Sequence, residues 1–168
     1  GILVLGATNI PWGLDSAVRR RFEKRIYIPL PDYPAREALL QKQLSKTPNT
    51  LHEDDIGYLG QRTEGLSCAD LNILIRDASY EPLRKCQNAT KFKEIGKNAN
   101  GKPIYQPCAP SDPAGISMRM LDVPGDQLTL PSISLDDFEA ALMKTKPSVN
   151  QDDLKKQEEF TSQFGIEG

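Results

Sequence analysis

The sequence predicts the end of an α/β unit, then a mainly helical domain carrying a small antiparallel β insertion, then a closing helix. Three observations lead there. An unbroken apolar run, Ile2-Leu3-Val4-Leu5-Gly6-Ala7, opens the chain, and such runs suit strands covered on both faces of a parallel sheet. A proline-rich stretch around Asp32 marks a change of composition. Beyond it apolar residues recur at helical spacing, except between about residues 92 and 132, where prolines and turn residues take over.

Taken in order, residues 2–7 are expected as a buried strand. Asp15 or Ser16 can cap a short helix that runs through Arg19-Arg20-Arg21. Arg25-Ile26-Tyr27-Ile28 alternates and predicts a second strand. Pro29, Pro31 and Pro34 then make a stiff linker, since each fixes φ and removes a donor, and a domain boundary is placed near Asp32. Helices are expected over 34–46, with Pro34 in the first turn, and over 53–63. The best-marked helix starts at Ser67. Ser67-Cys68-Ala69-Asp70 has the spacing of a capping box, a hydroxyl with a carboxylate three residues on. Leu71, Leu74, Ile75 and Ala78 then form one apolar stripe, and Pro82 is expected to kink or interrupt the helix. Short strands are expected at 104–106 and 115–121. Ser134 opens a helix to residue 144, with Asp137 at its third position. A last helix is expected over 150–164, stopped by Gly165.

Composition narrows the classes of function. The chain has 168 residues, a net charge of −2, 38% hydrophobic and 26% charged residues. That balance gives no bulk electrostatic reason to bind nucleic acid or a membrane surface. No apolar run approaches the roughly 18 residues of a membrane span. Cys68, Cys86 and Cys108 have no zinc or redox spacing and read as free thiols. His52 is the one histidine and stands in a polar stretch, so no metal site is expected.

The residues that can carry chemistry are few. Asn9 follows the end of the first apolar run, and ligands of open α/β sheets bind outside strand ends. An amide there can orient water near a phosphate without adding negative charge; by residue type alone, a plain turn before Pro11 explains it better. The arginine run is open in the same way. It can be a solvated charged face, or a source of guanidinium forks for phosphate oxygens. Successive helical residues point about 100° apart, so three arginines cannot all reach one phosphate. Cys68 and Ala69 open a helix whose free N–H groups can face a nucleotide, or they simply follow a cap.

Together these signals carry a resemblance. GATN, then LDSAVRRRFEKRIYIPLPD, then GLSCADL resemble the AAA ATPases of the meiotic clade. That clade includes katanin, spastin, fidgetin and the vacuolar protein sorting ATPases that disassemble ESCRT-III polymers. The stretches CAPSDPAGISMRMLDVPGDQL and KPSVNQDDLKKQEEFTSQFGIEG are similar to the β domain and C-terminal helix of the vacuolar protein sorting members. Katanin and spastin lack that insertion.

The resemblance implies a specific layout. Residues 1–32 are the C-terminal end of an AAA large α/β subdomain. Residues 33–90 and 133–148 make the α-helical small subdomain, residues 91–132 its β insertion, and 149–168 a helix that packs back on the large subdomain. Asn9 matches the sensor asparagine. Arg20 and Arg21, but not Arg19, match the pair of fingers that reach the neighbouring subunit's ATP. Cys68 and Ala69 match the small pair at the adenine, with Cys68 standing where the family usually has glycine. The implied cofactors are ATP and Mg2+, held mainly by a phosphate loop and acidic residues upstream of Gly1, so the segment alone should be inactive. The implied partners are further copies in a ring of six, ESCRT-III subunits as substrates, and an activating protein on the β insertion. Nucleic acid is not among them, and membrane contact is indirect. The implied location is the cytoplasm, with recruitment to endosomal membranes. A microtubule-severing relative, or a cofactor- and ring-binding module without catalysis, are the alternatives.

Overall fold

A computed structural model describes residues 1–165. Its centre is a bundle of four helices: α2 (Tyr33–Leu44), α3 (Glu53–Arg62), α4 (Cys68–Asn88) and α5 (Leu135–Leu142). Each begins where a carboxylate accepts a backbone N–H at the helix start, in the first turn for α2 and on the N-cap residue for the other three. Asp32 Oδ1 accepts from Ala35 N at 3.0 Å, and the linker prolines lead straight into α2. Asp55 reaches back to His52 N at 2.9 Å. Asp70 and Asp137 do the same for Ser67 and Ser134, at 3.0 and 2.8 Å. Such caps contribute about 1 kcal/mol each.

The apolar stripes of these helices meet in one core. Leu40 and Leu44 of α2, Leu59 of α3, Leu71, Leu74, Ile75 and Ala78 of α4, and Phe138 and Ala141 of α5 are all buried there, with Leu66 and Ile133 from the connections. The stripe expected on α4 therefore faces this core. Arg36 fastens α2 to its surroundings: buried, it donates from Nε to Gly60 O at 3.0 Å and from Nη1 to Pro31 O at 2.9 Å.

Pro82 neither ends nor interrupts α4, which runs unbroken to Asn88. A proline inside a helix costs about 3 kcal/mol, and packing against α5 offsets it. Pro82 is itself buried. On either side of it α4 is tied to α5 or its end: Glu81 to Lys144 at 3.1 Å, and Lys85 to Asp137 at 2.7 Å.

Between α4 and α5 the chain forms a three-stranded antiparallel sheet in the order β2-β1-β3. The strands are β1 (Lys91–Lys97), β2 (Pro103–Pro107) and β3 (Ile116–Ser117). The β1–β2 turn is set by Asn98, whose Oδ1 accepts from Asn100 N and Lys102 N at 3.0 Å each. Gly101 there has φ of 74°, which a side chain would resist. The strand expected over 115–121 shrinks to Ile116–Ser117. Beyond it the Asp122 carboxylate accepts Arg119 N at 2.9 Å, a local partner that turns the backbone into a 3-10 turn. Phe92 of β1 is fully buried beneath the sheet. The exit of the insertion returns to the bundle through Thr50 N to Ile133 O (2.9 Å) and Ile133 N to Pro48 O (3.1 Å).

Residues 2–7 and 25–28 do not form the expected strands. Ile2, Leu3 and Leu5 are 96%, 92% and 91% exposed, and Ile26 and Ile28 are 78% and 85% exposed. The reason is physical: a strand exists only by pairing. Among the described residues the only sheet is that of the insertion, and neither segment joins it. What the sequence marks here is a demand for burial that residues 1–165 leave unmet. The segment still contains a short helix, α1 (Ser16–Arg21), capped by Asp15 Oδ1 from Ala17 N at 2.6 Å. Helix α6 (Gln151–Phe164) lies against it, with Gly165 at its C-cap. Residues 166–168 of the expected C-terminal segment lie outside the described residues.

Candidate functional site

Two clusters contain the chemistry-bearing residues. The first joins the opening segment to α6. Gln157 Nε2 donates to Asn9 O at 2.7 Å, leaving the Asn9 side chain on the surface. The Arg19 guanidinium sits 5.0 Å from the centre of the Phe164 ring, and the Phe160 ring packs against Phe164 at a tilt of 45°, with centroids 5.1 Å apart. Lys156 lies 6.0 Å from the Trp12 ring. Arg25 donates from Nε to Phe164 O at 2.7 Å, and from Nη1 to Arg19 O and Phe22 O at 2.8 and 3.0 Å.

These contacts separate the three arginines. Arg19 is turned onto α6. Arg20 and Arg21 are exposed, and neither has a carboxylate partner among the described residues. A groove of about 410 Å³ lined by Ser16, Arg19, Arg20, Glu23, Arg25 and Phe164 runs beside them. Unpaired guanidiniums on a short helix are suited to binding an anion that arrives from outside.

The second cluster is the start of α4. Cys68 and Ala69 are exposed on its first turn. Behind them Asp70 is 4% exposed, and its Oδ2 accepts four hydrogen bonds. Ser67 N and Oγ donate at 3.0 and 2.8 Å, and Ser148 N and Oγ at 3.2 and 3.0 Å. Burial pushes the Asp70 carboxyl up, but the hydrogen bonds outweigh it and hold the group below the usual aspartate range. The backbone of Cys68-Ala69 is thus fixed between its own cap and the link before α6. Small side chains on a rigid helix start leave room for a flat ring against the backbone.

Asn9, Arg19 and Arg25 are anchored to α6, whereas Cys68 and Ala69 belong to a separate element joined to the link before α6 through Ser148. Sequence reasoning missed Arg25, Gln157, Phe164 and Ser148 as organisers of these clusters. Arg25 hid inside an alternating pattern. Ser148 lies 78 residues from its partner Asp70, a separation that no local pattern signals. Among the described residues, no group of three or more His, Cys, Asp or Glu is placed to hold a metal ion.

Comparison with known proteins bears on the family and the fold. The AAA+ lid domain family matches residues 53–97, and the Vps4 C-terminal oligomerisation domain family matches residues 105–165. Vacuolar protein sorting-associated protein 4B of Pongo abelii is 51% identical over 174 residues, covering 100% of this chain and 39% of that protein. The chain belongs to the Vps4 family of AAA proteins. It matches the C-terminal part of its Vps4 relatives. Among solved structures, the FIGL-1 AAA domain in complex with ADP superposes with a TM-score of 0.71 at 27% identity, over 98% of this chain and 46% of that one. A chain from the crystal structure of Vps4 and Vta1 superposes with a TM-score of 0.56 at 31% identity, over 70% of this chain and 100% of that one. The Vps4 oligomerisation match spans β2, β3, α5 and α6. It therefore includes the later part of the β insertion, from within β2 onward, and the helix that holds Asn9 and α1, while β1 falls in the lid match.

Proposed function

We propose that this chain is the C-terminal part of a ring-forming ATPase that takes apart ESCRT-III polymers during endosomal sorting. The observation that carries the reading is the division of labour on α1. Arg19 is committed to α6, while Arg20 and Arg21 stand free on the surface beside an open groove. In a ring of six, each subunit would present Arg20 and Arg21 to its neighbour's ATP. When bound, ATP supplies the phosphoryl group that is transferred to water. The two guanidiniums stabilise the negative charge that develops on that group, an effect of about 10³–10⁵ in rate. Asn9 would act in its own subunit, orienting water near the same phosphate with an uncharged amide. Cys68 and Ala69 would lie along the adenine, with the cysteine Sγ filling space that a glycine would leave open.

The exposed arginines and the helix start at Cys68 suit a nucleotide, and among the described residues no group of three or more His, Cys, Asp or Glu is placed to hold Mg2+; the acidic ligands that the family resemblance implies would hold it. No complete Gly-x4-Gly-Lys-Ser/Thr phosphate loop occurs in the sequence, Gly96–Lys102 being a hairpin turn followed by Pro103, and the segment by itself is expected not to hydrolyse ATP. The β insertion is proposed to receive an activating protein, a reading supported by the solved structure of Vps4 and Vta1 that this chain resembles. The protein would work in the cytoplasm and be recruited to endosomal membranes. The Vps4 oligomerisation match over residues 105–165 favours this over a microtubule-severing relative.

The test is steady-state hydrolysis by the full-length protein. Arg20→Ala and Arg21→Ala should each lower turnover by about three orders of magnitude while ATP binding stays intact. ESCRT-III tails should stimulate the wild type. Undiminished turnover in both variants, or stimulation by tubulin instead, would overturn the reading.

A further inference from the structure

Arg25 is the most heavily used guanidinium in the opening segment, and no phosphate-directed role accounts for it. It binds three main-chain carbonyls and no carboxylate among the described residues. Two of them, Arg19 O and Phe22 O, belong to the last turn and C-cap of α1, where carbonyls lack helical partners. The third, Phe164 O, is on the last residue of α6, 139 positions away. The Phe164 ring is held from the other side by Arg19. One planar fork thus locks the end of α6 onto the end of α1, whose next two side chains are Arg20 and Arg21. Helix α1 has six residues and buries none of them, so it has little else to fix its direction; helices this short do not persist alone.

From this geometry we propose that Arg25 is a positioning residue for Arg20 and Arg21, acting through α1, and that α6 is the strut it braces against. The inference rests on the finger reading above and adds to it a means by which the C-terminal helix governs hydrolysis at the neighbouring subunit. An ammonium cannot replace the fork. A lysine in place of Arg25 would be a single point donor on a flexible stem, unable to span Nε and Nη1 partners on two elements. Phe164→Ala removes the ring under Arg19 but keeps the carbonyl that Arg25 grips, so it should do less harm than Arg25→Ala.

The experiment uses full-length protein and measures turnover, the KM for ATP, and ring assembly by light scattering. Arg25→Ala should lower kcat about 10- to 100-fold, the range expected when a catalytic group is displaced by about an ångström, with KM and assembly within about twofold of wild type. Arg25→Lys should stay well below wild type. Arg25→Ala subunits should regain turnover when mixed with subunits that keep Arg25 but have lost their own phosphate-loop lysine, because the latter bring ordered fingers to the former's sites. Wild-type kcat in Arg25→Ala, full rescue by lysine, failure of the mixture, or loss of assembly would each overturn the proposal. Arg20→Ala run alongside separates the two readings. If it keeps full turnover the finger assignment itself fails, whereas an inactive Arg20→Ala beside a fully active Arg25→Ala removes only the positioning role.

Discussion

Gln157 Nε2 donates to the main-chain carbonyl of Asn9 across 2.7 Å and 148 positions of sequence. The bond joins α6 to the loop that carries the candidate sensor. It matters because α6 buries no residue of its own, and an isolated helix of this length is marginal in water. The helix stays in place through a few specific contacts: Gln157 with Asn9, Phe164 with Arg19 and Arg25, and Lys156 with Trp12.

Removing one such contact should loosen α6 measurably. Gln157→Ala forfeits a net hydrogen bond of about 1 kcal/mol. Amide exchange along α6 should therefore quicken about fivefold, while α4 amides keep their protection. Equal acceleration in both helices would show that α6 is not separately anchored.

Asp70 is the keystone of the second cluster, and acid should reveal it. Its folded pKa lies below the ordinary value near ~3.9. A depressed carboxylate adds stability that is complete above the unfolded pKa and is lost as pH falls through the folded one. Asp70→Ala should cost about 2–4 kcal/mol at neutral pH, through the lost cap and the stranded Ser148 donors. The gap in Tm between wild type and Asp70→Ala should be constant above about pH 5 and close as the pH drops below about 4. A gap that widens in acid would reverse the sign of the argument.

Two glycines of α3 should respond differently to alanine. A Cβ on Gly60 would stand 2.9 Å from Glu37 Cγ and 3.1 Å from Tyr33 Cε2. On Gly57 it would meet only Tyr33 OH at 3.3 Å and Glu37 Oε1 at 3.4 Å, both ends of side chains that can shift. Alanine gains about 1 kcal/mol of helix propensity at either site. At Gly60 overpacking of about 1–3 kcal/mol exceeds that gain, so Gly60→Ala should destabilise the bundle. Gly57→Ala should be neutral or raise stability by about 0.5 kcal/mol. Urea unfolding of the two variants checks the order.

Lys85 and Lys144 tie α4 to α5 with unequal stakes. Asp137, the partner of Lys85, is 1% exposed, and its Oδ1 has that ammonium but no well-aligned hydrogen bond. Glu81, the partner of Lys144, also has Arg84. Lys85→Met strands a buried carboxylate and should cost about 2–3 kcal/mol, whereas Lys144→Met should cost about 1 kcal/mol or less. Equal losses in denaturant titrations would mean that burial of the acid is not what matters.

The bundle was legible because its signals are local. Ser67-x-x-Asp70 and Ser134-x-x-Asp137 announce helix starts, and the stripe Leu71, Leu74, Ile75, Ala78 announces a buried face. The turn at Asn98–Lys102 was marked by Asn and Gly in the same way. The missed features depend on partners far along the chain. Pro82 is tolerated because α4 packs on α5 there, with Lys85 reaching Asp137 and Glu81 reaching Lys144 just past the end of α5, partners that no window around Pro82 contains. Residues 2–7 and 25–28 have the composition of strands, but composition states a need for neighbours and cannot provide them. At the candidate site, the arginine run and Asn9 were visible as residue types. That Arg19 turns inward while Arg20 and Arg21 stay free depends on Phe164, at the other end of the sequence.

The central claim is that Arg20 and Arg21 act on a nucleotide bound by another copy of the protein. The most direct measurement mixes two inactive full-length forms: Arg20→Ala/Arg21→Ala, with its own site whole, and a form with both arginines but no phosphate-loop lysine. Hydrolysis should reappear on mixing and peak near equal proportions, because each ring then contains complete sites at its interfaces. A mixture as silent as its parts, or full turnover by the double variant alone, would contradict the account.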